Sequence, residues 1–389
     1  MSQRALMGVL AGNMLLDALE VSVLLPALPP AATDLGLGIS GAQWLMGGFA
    51  AGFAVFLLAG PVLARRWGRR RLYLVALVVF AAASVVGGLI DVPAAIVATR
   101  VVKGSCAAFT APAGLAIIGD VFPGQYDRAR AVGVYSLFGA SGFTAGLVFS
   151  GFVTLASWRW VLVFTAPVAL ALAVVAARVV PRDRAVADPR WFPQRVSPRL
   201  VRAAVGAALL NGAYLGYLLL TTFTLQQGLG WRPWQVAAGL LPVCAPLVAA
   251  TRGSRRLIAR CGTGPLVAAG AFAAAAACGV SCIKPERTSY VTDVLPALIL
   301  FAVAFVLSFA ALNARALEGI PPEERAASVA LYQCVVQCGA VVALFASAMI
   351  RQQAWSDRPA LLILTSLGVF AFAIAIVGRL PVRSEGVRS

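Results

Sequence analysis

"RVVPRDRAVADPRWFPQRVSPRLVR", residues 178–202, decides how this chain is organised. Seven arginines and four prolines stand within it. A bilayer interior does not accept that density of charge, and each proline removes a backbone donor, so the stretch reads as a polar linker between two halves. Outward on both sides the chain turns apolar. Across all 389 residues 60% are hydrophobic and 12% charged, against about 45–50% and about 25% in soluble domains.

Runs long enough to cross a membrane, about 20 apolar residues each, follow one another with short polar breaks. The first six fall near residues 5–29, 42–64, 72–90, 94–119, 130–155 and 159–178. Six more fall near 201–225, 234–251, 264–283, 292–312, 326–350 and 359–379. The opening residues superficially resemble a secretion signal, but the run is too long and no small-residue cleavage site follows, so it reads as span 1. The expected fold class is an all-α polytopic membrane protein of twelve transmembrane helices in two six-helix bundles: 1–180, a cytoplasmic linker 181–200, and 201–389.

A formal charge of +17 raises the question of nucleic acid. Where the charge sits answers it. With the N-terminus inside, 24 Lys and Arg residues fall on inner segments and six on outer ones, with Arg100 and Lys103 inside span 4. That is the positive-inside asymmetry, so the basic charge orients the protein in an anionic membrane and implies no nucleic-acid partner. Both termini are expected in the cytoplasm.

The chain has no histidine and seven cysteines. Cys278 with Cys282 and Cys334 with Cys338 have helical i, i+4 spacing, awkward for a disulfide and short of a zinc set, so small buried side chains is the expected reading. No cofactor and no metal are expected. Phosphate loops and nucleophile motifs are missing too, so the chain does not read as an enzyme. Without histidine, a proton relay must use carboxylates.

Between spans 2 and 3 stands "PVLARRWGRRRL". Its Gly68 permits a tight turn, and its arginines suit helix C-termini and an anionic leaflet. Span 5 contains "GVYSLFGASGFTAGLVFSG", with Gly133, Gly142, Gly146 and Gly151 giving a face on which helices approach closely. Elsewhere stand "QW" at Gln43 and Trp44, "SWRW" at Ser157–Trp160, and "LQQGLGWRPWQVAAGLLP" from span 7 into span 8.

In these motifs the chain resembles the major facilitator superfamily, specifically its drug:proton antiporter branch, over nearly its whole length. Gly68, Arg69 and Arg70 match the loop motif G-x-L-a-D-R-x-G-R-R; Pro61 and Arg65 depart from it. Arg65 replaces the aspartate that the resemblance implies latches the halves, which leaves Asp120 as a candidate partner for the arginines. Gly133, Gly142 and Gly146 match the antiporter signature g-x₈-G-x₃-G, while Leu147 and Ser150 replace its proline and one glycine. The "RVVKG" of span 4 matches R-x-x-q-G at Arg100, with Lys103 in place of glutamine. Relatives with this wording often carry fourteen spans; this chain has room for twelve.

Four charges lie at membrane depth. From a start near residue 5, a rise of about 1.5 Å per residue puts Asp17 roughly 18 Å and Glu20 roughly 22 Å into a core about 30 Å thick. Span 4 runs the other way and brings Arg100 and Lys103 to roughly 21 and 16 Å from the inner face. Each such charge costs at least about 2.5–3.5 kcal/mol, so the four are expected to face one another or water in a central cavity. Residues i and i+3 share a helix face, which would present both acids to both bases.

Two readings of this cluster stay open. One is a permanent salt-bridge cluster that fixes helix packing. In the other, Asp17 or Glu20 exchanges a proton with each side in turn, and the sequence does not rank the two acids. Substrate-binding candidates are the polar groups of spans 7 and 11: Asn211, Tyr214, Gln226, Tyr332, Gln333 and Gln337. They suit a large, mostly apolar ligand that needs orientation.

The resemblance implies proton-coupled efflux of small amphiphilic compounds by alternating access, by a monomer in a bacterial cytoplasmic membrane. Thirty arginines against two lysines fit a GC-rich, natural-product-producing bacterium. Uptake of an anion clamped by Arg100 and Lys103, and a membrane sensor that moves no solute, are the alternatives.

Overall fold

The computed structural model describes residues 3–122, 124–181, 192–194, 196–283, 288–321, 324–354 and 356–377, without the side chains of 120, 125, 129 and 245–256. The greater part of the linker lies outside that set. Among the described residues the regular structure is helical. In chain order the long helices are span 1 (Gln3–Ser22), span 2 (Ile39–Leu57), span 3 (Arg69–Leu89), span 4 (Pro93–Val121), span 5 (Gln125–Val153) and span 6 (Thr165–Val179). The second set is span 7 (Pro198–Phe223), span 8 (Pro233–Cys261), span 9 (Thr263–Ile283), span 10 (Leu295–Ala316), span 11 (Arg325–Gln353) and span 12 (Arg358–Val377). Eleven of these, all but span 8, are long and apolar enough to cross a membrane by length and composition among the described residues.

Proline and glycine account for the differences from the expected spans. Span 1 stops at Ser22 rather than near 29, because Pro26, Pro29 and Pro30 carry no amide hydrogen to continue the ladder. The chain instead takes tight turns, Leu25 N donating to Ser22 O (3.0 Å) and Ala27 N to Leu24 O (2.9 Å), before a short helix at Leu28–Asp34. Span 2 likewise ends at Leu57, and Gly60–Pro61 begin a separate helix, Gly60–Trp67. Gly68, at φ 83°, then turns the chain into span 3, a conformation that favours glycine. Span 8 continues beyond the expected residue 251 as far as Cys261, where Gly262 at φ 73° stops it. Beyond Phe223, span 7 widens into a π turn at Thr224–Gly228.

Each half forms one bundle. Span 1 packs on span 5, span 2 on span 4 and span 3 on spans 4 and 6; in the second half span 7 packs on spans 11, 12 and 10, and span 9 on spans 10 and 12. The halves meet along two seams, span 2 against span 11 and span 5 against span 8. Odd-numbered spans begin at the end where span 1 starts and span 12 finishes, here the terminal end; the opposite end is the far end.

The apolar core is distributed unevenly along this axis. Toward the far end a single cluster crosses both halves, joining Leu24, Leu25, Leu28 and Val161 to Tyr217, Leu218, Leu344 and Leu361. Toward the terminal end the core divides into one cluster around Leu10, Tyr73 and Tyr135 and another around Leu200, Leu312 and Tyr332. Only a small contact of Leu57 and Ala108 with Ala330 bridges the halves among the remaining clusters of described residues. Apolar burial, at about 25 cal/mol per Å², therefore clamps the halves chiefly at the far end.

Four cysteines, Cys106, Cys244, Cys278 and Cys282, are buried as expected of small core side chains. The expectation fails at Cys261 and Cys338, which are exposed, and at Cys334, which is half-buried. Cys261 closes a helix end, while Cys334 and Cys338 lie on the face of span 11 toward span 2, where Cys334 Sγ donates to Ala54 O (3.3 Å).

Candidate functional site

Two glycines set the depth at which span 4 enters the first bundle. A Cβ on Gly104 would stand 2.0 Å from Phe49 O, and one on Gly52 2.0 Å from Val101 O, so spans 2 and 4 touch backbone to backbone. That approach sinks Arg100 and Lys103 into the bundle. Arg100 is fully buried and Lys103 is 1% exposed.

Both converge on Glu20, itself fully buried. Arg100 Nη1 pairs with Glu20 Oε2, and Lys103 Nζ lies 2.5 Å from Oε1. Arg100 also donates from Nη2 to Glu20 O and from Nε to Leu45 O, each at 2.9 Å, so one guanidinium ties spans 1, 2 and 4. Lys103 Nζ donates to Thr165 Oγ1 (3.1 Å), which donates on to Ser84 Oγ (3.0 Å), reaching spans 6 and 3. The rings of Phe49 and Phe80 lie 5.2 and 4.7 Å from the two cationic groups. The charge-assisted bond from Arg100 to Oε2, the Lys103 ammonium at ion-pair distance from Oε1 and a ring beside each cation offset part of the cost of burying three ions.

Asp17 does not join this group as the shared helix face implied. One turn nearer the terminal end, it accepts from Asn13 Nδ2 (2.9 Å) and Thr110 Oγ1 (3.4 Å), both neutral. Tyr73, Cys106 and Tyr135 belong to the core of the first bundle around it. Asn13 Oδ1 and Tyr73 OH are buried without a hydrogen-bond partner. The expected open, wetted meeting of two acids with two bases is thus corrected: the two bases share one acid in a sealed triad, and the other acid, 8% exposed, is held apart by neutral groups. The physical reason is reach. Glu20 lies level with both cations, whereas Asp17, nearly a turn away, points into the core of the first bundle.

Span 5 seats span 1 beside these acids. A Cβ on Gly142 would lie 2.4 Å from Leu15 O, and one on Gly146 2.2 Å from Ser22 Oγ. Ser22 Oγ donates to Phe143 O (2.7 Å). Gly133 is different: nothing lies within 4 Å of where its Cβ would be, while Gly139, which the motif did not single out, lies against Met14. Gly151 extends the close face to span 8, against Ala237 and Trp234.

Phe143 faces the other half. Its ring centroid lies 6.2 Å from that of Tyr214, which also meets Phe301 (5.9 Å) and Phe305 (5.6 Å). The Tyr214 hydroxyl is buried without a hydrogen-bond partner. An aromatic cage with one orphaned donor therefore lies across the interface, beside the segment that carries Glu20. Phe301 and Phe305, four apart on span 10, were not among the sequence candidates; helical spacing of aromatics was the signal for them.

The remaining candidates do not gather there. Tyr332 is buried in the terminal-end core of the second bundle with Leu200 and Leu312, its hydroxyl also unpartnered. Asn211, Gln333 and Gln337 are half-buried on spans 7 and 11. Gln226 belongs to the far end, on the π turn, where its Nε2 donates to Pro26 O of the first half (2.8 Å). It was expected to line a cavity; the wider turn and the proline-broken end of span 1 bring it to a cross-bundle contact instead. Ser40 with Gln352 makes a second such contact. Next to them Arg351 pairs with Asp357, which also accepts from Thr224 Oγ1 (2.7 Å).

A net hydrogen bond contributes about 0.5–1.5 kcal/mol, and about 1.4 kcal/mol is tenfold in an equilibrium. Gln226→Ala is therefore expected to raise the far-end-open population severalfold. Spin-label distances across the far end measure this. Unchanged distance distributions would show that Gln226 is no latch.

At the terminal end Arg70 donates to Ala177 O, at the end of span 6. Arg128 donates to Phe122 O (3.1 Å) and Gly119 O (2.9 Å), at the end of span 4. Arg69 follows Gly68 at the start of span 3. The side chain of Asp120 lies outside the described residues. At the far end "SWRW" forms a hub: Arg159 bonds Asp34 (3.1 Å), Asp91 (2.6 Å) and Ile90 O (3.0 Å), and Trp158 Nε1 donates to Asp34 (3.0 Å).

Residues 10–344 match the family profile described as Major Facilitator Superfamily. The puromycin resistance protein pur8 of Streptomyces alboniger is 37% identical over 177 residues, 45% of this chain and 35% of that protein. The cephamycin export protein CmcT of Amycolatopsis lactamdurans is 35% identical over 199 residues, 49% of this chain and 39% of that protein. The chain thus matches less than two fifths of the length of either relative. Among solved structures, the xylose transporter XylE from E. coli, in a partially occluded inward open conformation, superposes with a TM-score of 0.76 at 14% identity, covering 97% of this chain and 98% of that one. At that identity the likeness concerns the fold alone.

Proposed function

Because this chain belongs to the major facilitator superfamily, we propose that it is a monomeric exporter of small amphiphilic organic compounds, working by alternating access across a bacterial cytoplasmic membrane with protons moving inward. Antibiotic resistance and export are what its relatives are named for, and the excess of positive charge on inner segments supports cytoplasmic termini. The far end is then the outer one, and the apolar clamp there corresponds to a conformation closed to the outside.

The observation that carries the reading is the cage of Phe143, Tyr214, Phe301 and Phe305 placed beside the acid-bearing stretch of span 1. A flat, largely apolar ligand entering the cage meets the Tyr214 hydroxyl and parts Phe143 from Tyr214. Span 5 then moves against span 1, since Gly142, Gly146 and the Ser22 bond leave no slack between them. The acids feel that motion directly.

Of the two acids, Asp17 is the proposed proton carrier. Glu20 is balanced by two cations already, so a proton there would leave both of them uncompensated in the membrane interior. Asp17 has only neutral partners, so a proton removes a lone buried charge and its loss restores one. Uptake of an anion by Arg100 and Lys103 has less support, since both cations hold Glu20 and neither is more than 1% exposed.

The test is a drug-susceptibility panel in an efflux-deficient host, with proton release from purified protein on adding a compound that the panel identifies. The intact protein is expected to confer resistance and to release about one proton per bound drug at a pH where Asp17 is protonated. Asp17→Asn is expected to bind drug, release none and lose resistance. Proton release that survives in Asp17→Asn would overturn the assignment, and resistance to no compound would overturn export.

A further inference from the structure

Span 11 carries two thiols that the transport reading leaves idle. Cys334 and Cys338 stand four residues apart in an unbroken 29-residue helix, on the face turned to span 2. Contacts between the halves bracket them. On the terminal side Ala330 meets Leu57 and Ala108, and toward the far end Phe345 meets Trp44, with 5.8 Å between ring centroids. On span 2, helical spacing puts Gly47 and Ala51 on the same face as Trp44 and Ala54, so small residues stand opposite the thiols. Among the described residues nothing from span 11 lies within 4 Å of where a Cβ on Gly47 would be. The seam is open at this level, and Cys338 is exposed there. Cys278 and Cys282 on span 9 have the same spacing, but both are buried.

Cβ atoms four residues apart on a helix stand about 5–6 Å from each other, beyond the about 3.5–4.5 Å of a direct S–S bond. One bridging atom closes that gap. Side chains on one helix face lean the same way, so the two thiols lie side by side rather than aimed at each other. That suits a pyramidal centre with both sulfurs on one side; a linear two-coordinate ion wants sulfurs on opposite sides. Trivalent arsenic is such a centre and is soft, as thiolate sulfur is. Its third bond is left for a carbon group, which the gap beside Gly47 and Ala51 receives. We propose that Cys334 and Cys338 form a dithiol site for trivalent organic arsenicals in the seam between spans 2 and 11. An oxide R–As=O meets the two thiols; two S–H bonds break, two S–As bonds form, and the oxygen leaves as water with both protons. Arsenic stays trivalent and the sulfurs stay reduced, so no oxidant enters. Cys334 gives up its bond to Ala54 O in this step, which removes one tie between the halves.

The full chain, purified in a neutral detergent, is incubated with phenylarsine oxide and weighed intact by mass spectrometry. A single phenylarsenic group per chain is expected, kept in excess β-mercaptoethanol and removed by dimercaptopropanol. Joining a second sulfur to the first strengthens capture by about a hundredfold or more, so Cys334→Ser and Cys338→Ser are each expected to weaken retention by that factor. Cys278→Ser and Cys261→Ser are expected to leave it unchanged, the first because its pair is buried and the second because a lone thiol makes no chelate.

No adduct on the native chain, an adduct undiminished in Cys338→Ser, or one removed by Cys278→Ser would overturn the site. Should Cys334→Ser not fold, Cys338→Ser decides alone, since its side chain is exposed. Neither transport nor a proton enters the measurement, so failure here and failure of the export reading are separate results.

Discussion

Glu20→Gln is expected to inactivate the protein and to destabilise it by about 3–5 kcal/mol, the usual cost of leaving buried charge unpaired. The carboxylate stands between Arg100 and Lys103 with no solvent exposure, so its loss strands two cations where water does not reach them. A double variant separates the structural share from the functional one. Adding Lys103→Gln removes one stranded cation, and Arg100 keeps its carbonyl acceptors Glu20 O and Leu45 O. Glu20→Gln with Lys103→Gln is therefore expected to regain a good part of the lost melting temperature while remaining without transport. Fluorescence-detected size exclusion, thermal melting and resistance in an efflux-deficient host measure the three quantities. A single variant as stable and as active as the native chain would refute the triad, and full activity in the double variant would reduce it to a packing device.

The second large effect is expected at span 5. A side chain on Gly142 or Gly146 meets main-chain atoms of span 1, Leu15 O at 2.4 Å and Leu19 O at 2.8 Å, and a main chain cannot swing aside as a rotamer does. Overpacking typically costs about 1–3 kcal/mol and sometimes more. Gly142→Leu and Gly146→Leu would in addition wedge span 1 away from the cage. Both are expected to lose resistance entirely and to lower the yield of folded protein. Gly133→Leu is the internal control, since its Cβ would meet nothing within 4 Å, and it is expected to behave as the native chain. Equal loss at Gly133 would show that the sequence motif, rather than contact with span 1, sets the requirement.

These expectations locate what was legible in the sequence. Hydropathy gave the number of long helices, because a helix crossing lipid must be apolar over its whole length and the polar breaks between crossings have nowhere to hide. The presence of Arg100, Lys103, Asp17 and Glu20 at one depth followed from a rise per residue and a starting position. Gly142, Gly146 and Gly104 were visible as motif positions. The pairing of charges was not visible: helical spacing put Asp17 and Glu20 on one face, and that face is wide enough for Glu20 to meet both cations while Asp17 turns to Asn13 and Thr110.

The polar candidates show the same limit more sharply. Tyr214, Gln226 and Tyr332 are equally polar residues on apolar helices, yet one stands in an aromatic cage, one bonds across the far end to Pro26 O and one lies in a terminal-end core. Position along the axis and the identity of the helix opposite separate them, and neither is a property of a single segment.

By itself, then, the sequence determined that the chain lives in a membrane, how many times it crosses, and which charges must find partners there, since transfer from water to lipid is an additive cost that each residue bears locally. Only the tertiary structure decided which acid those cations hold, which glycine touches a neighbour and where the two halves are clamped. Those are questions of distances between segments far apart in the chain, set by how helices settle against one another once all of them are in place.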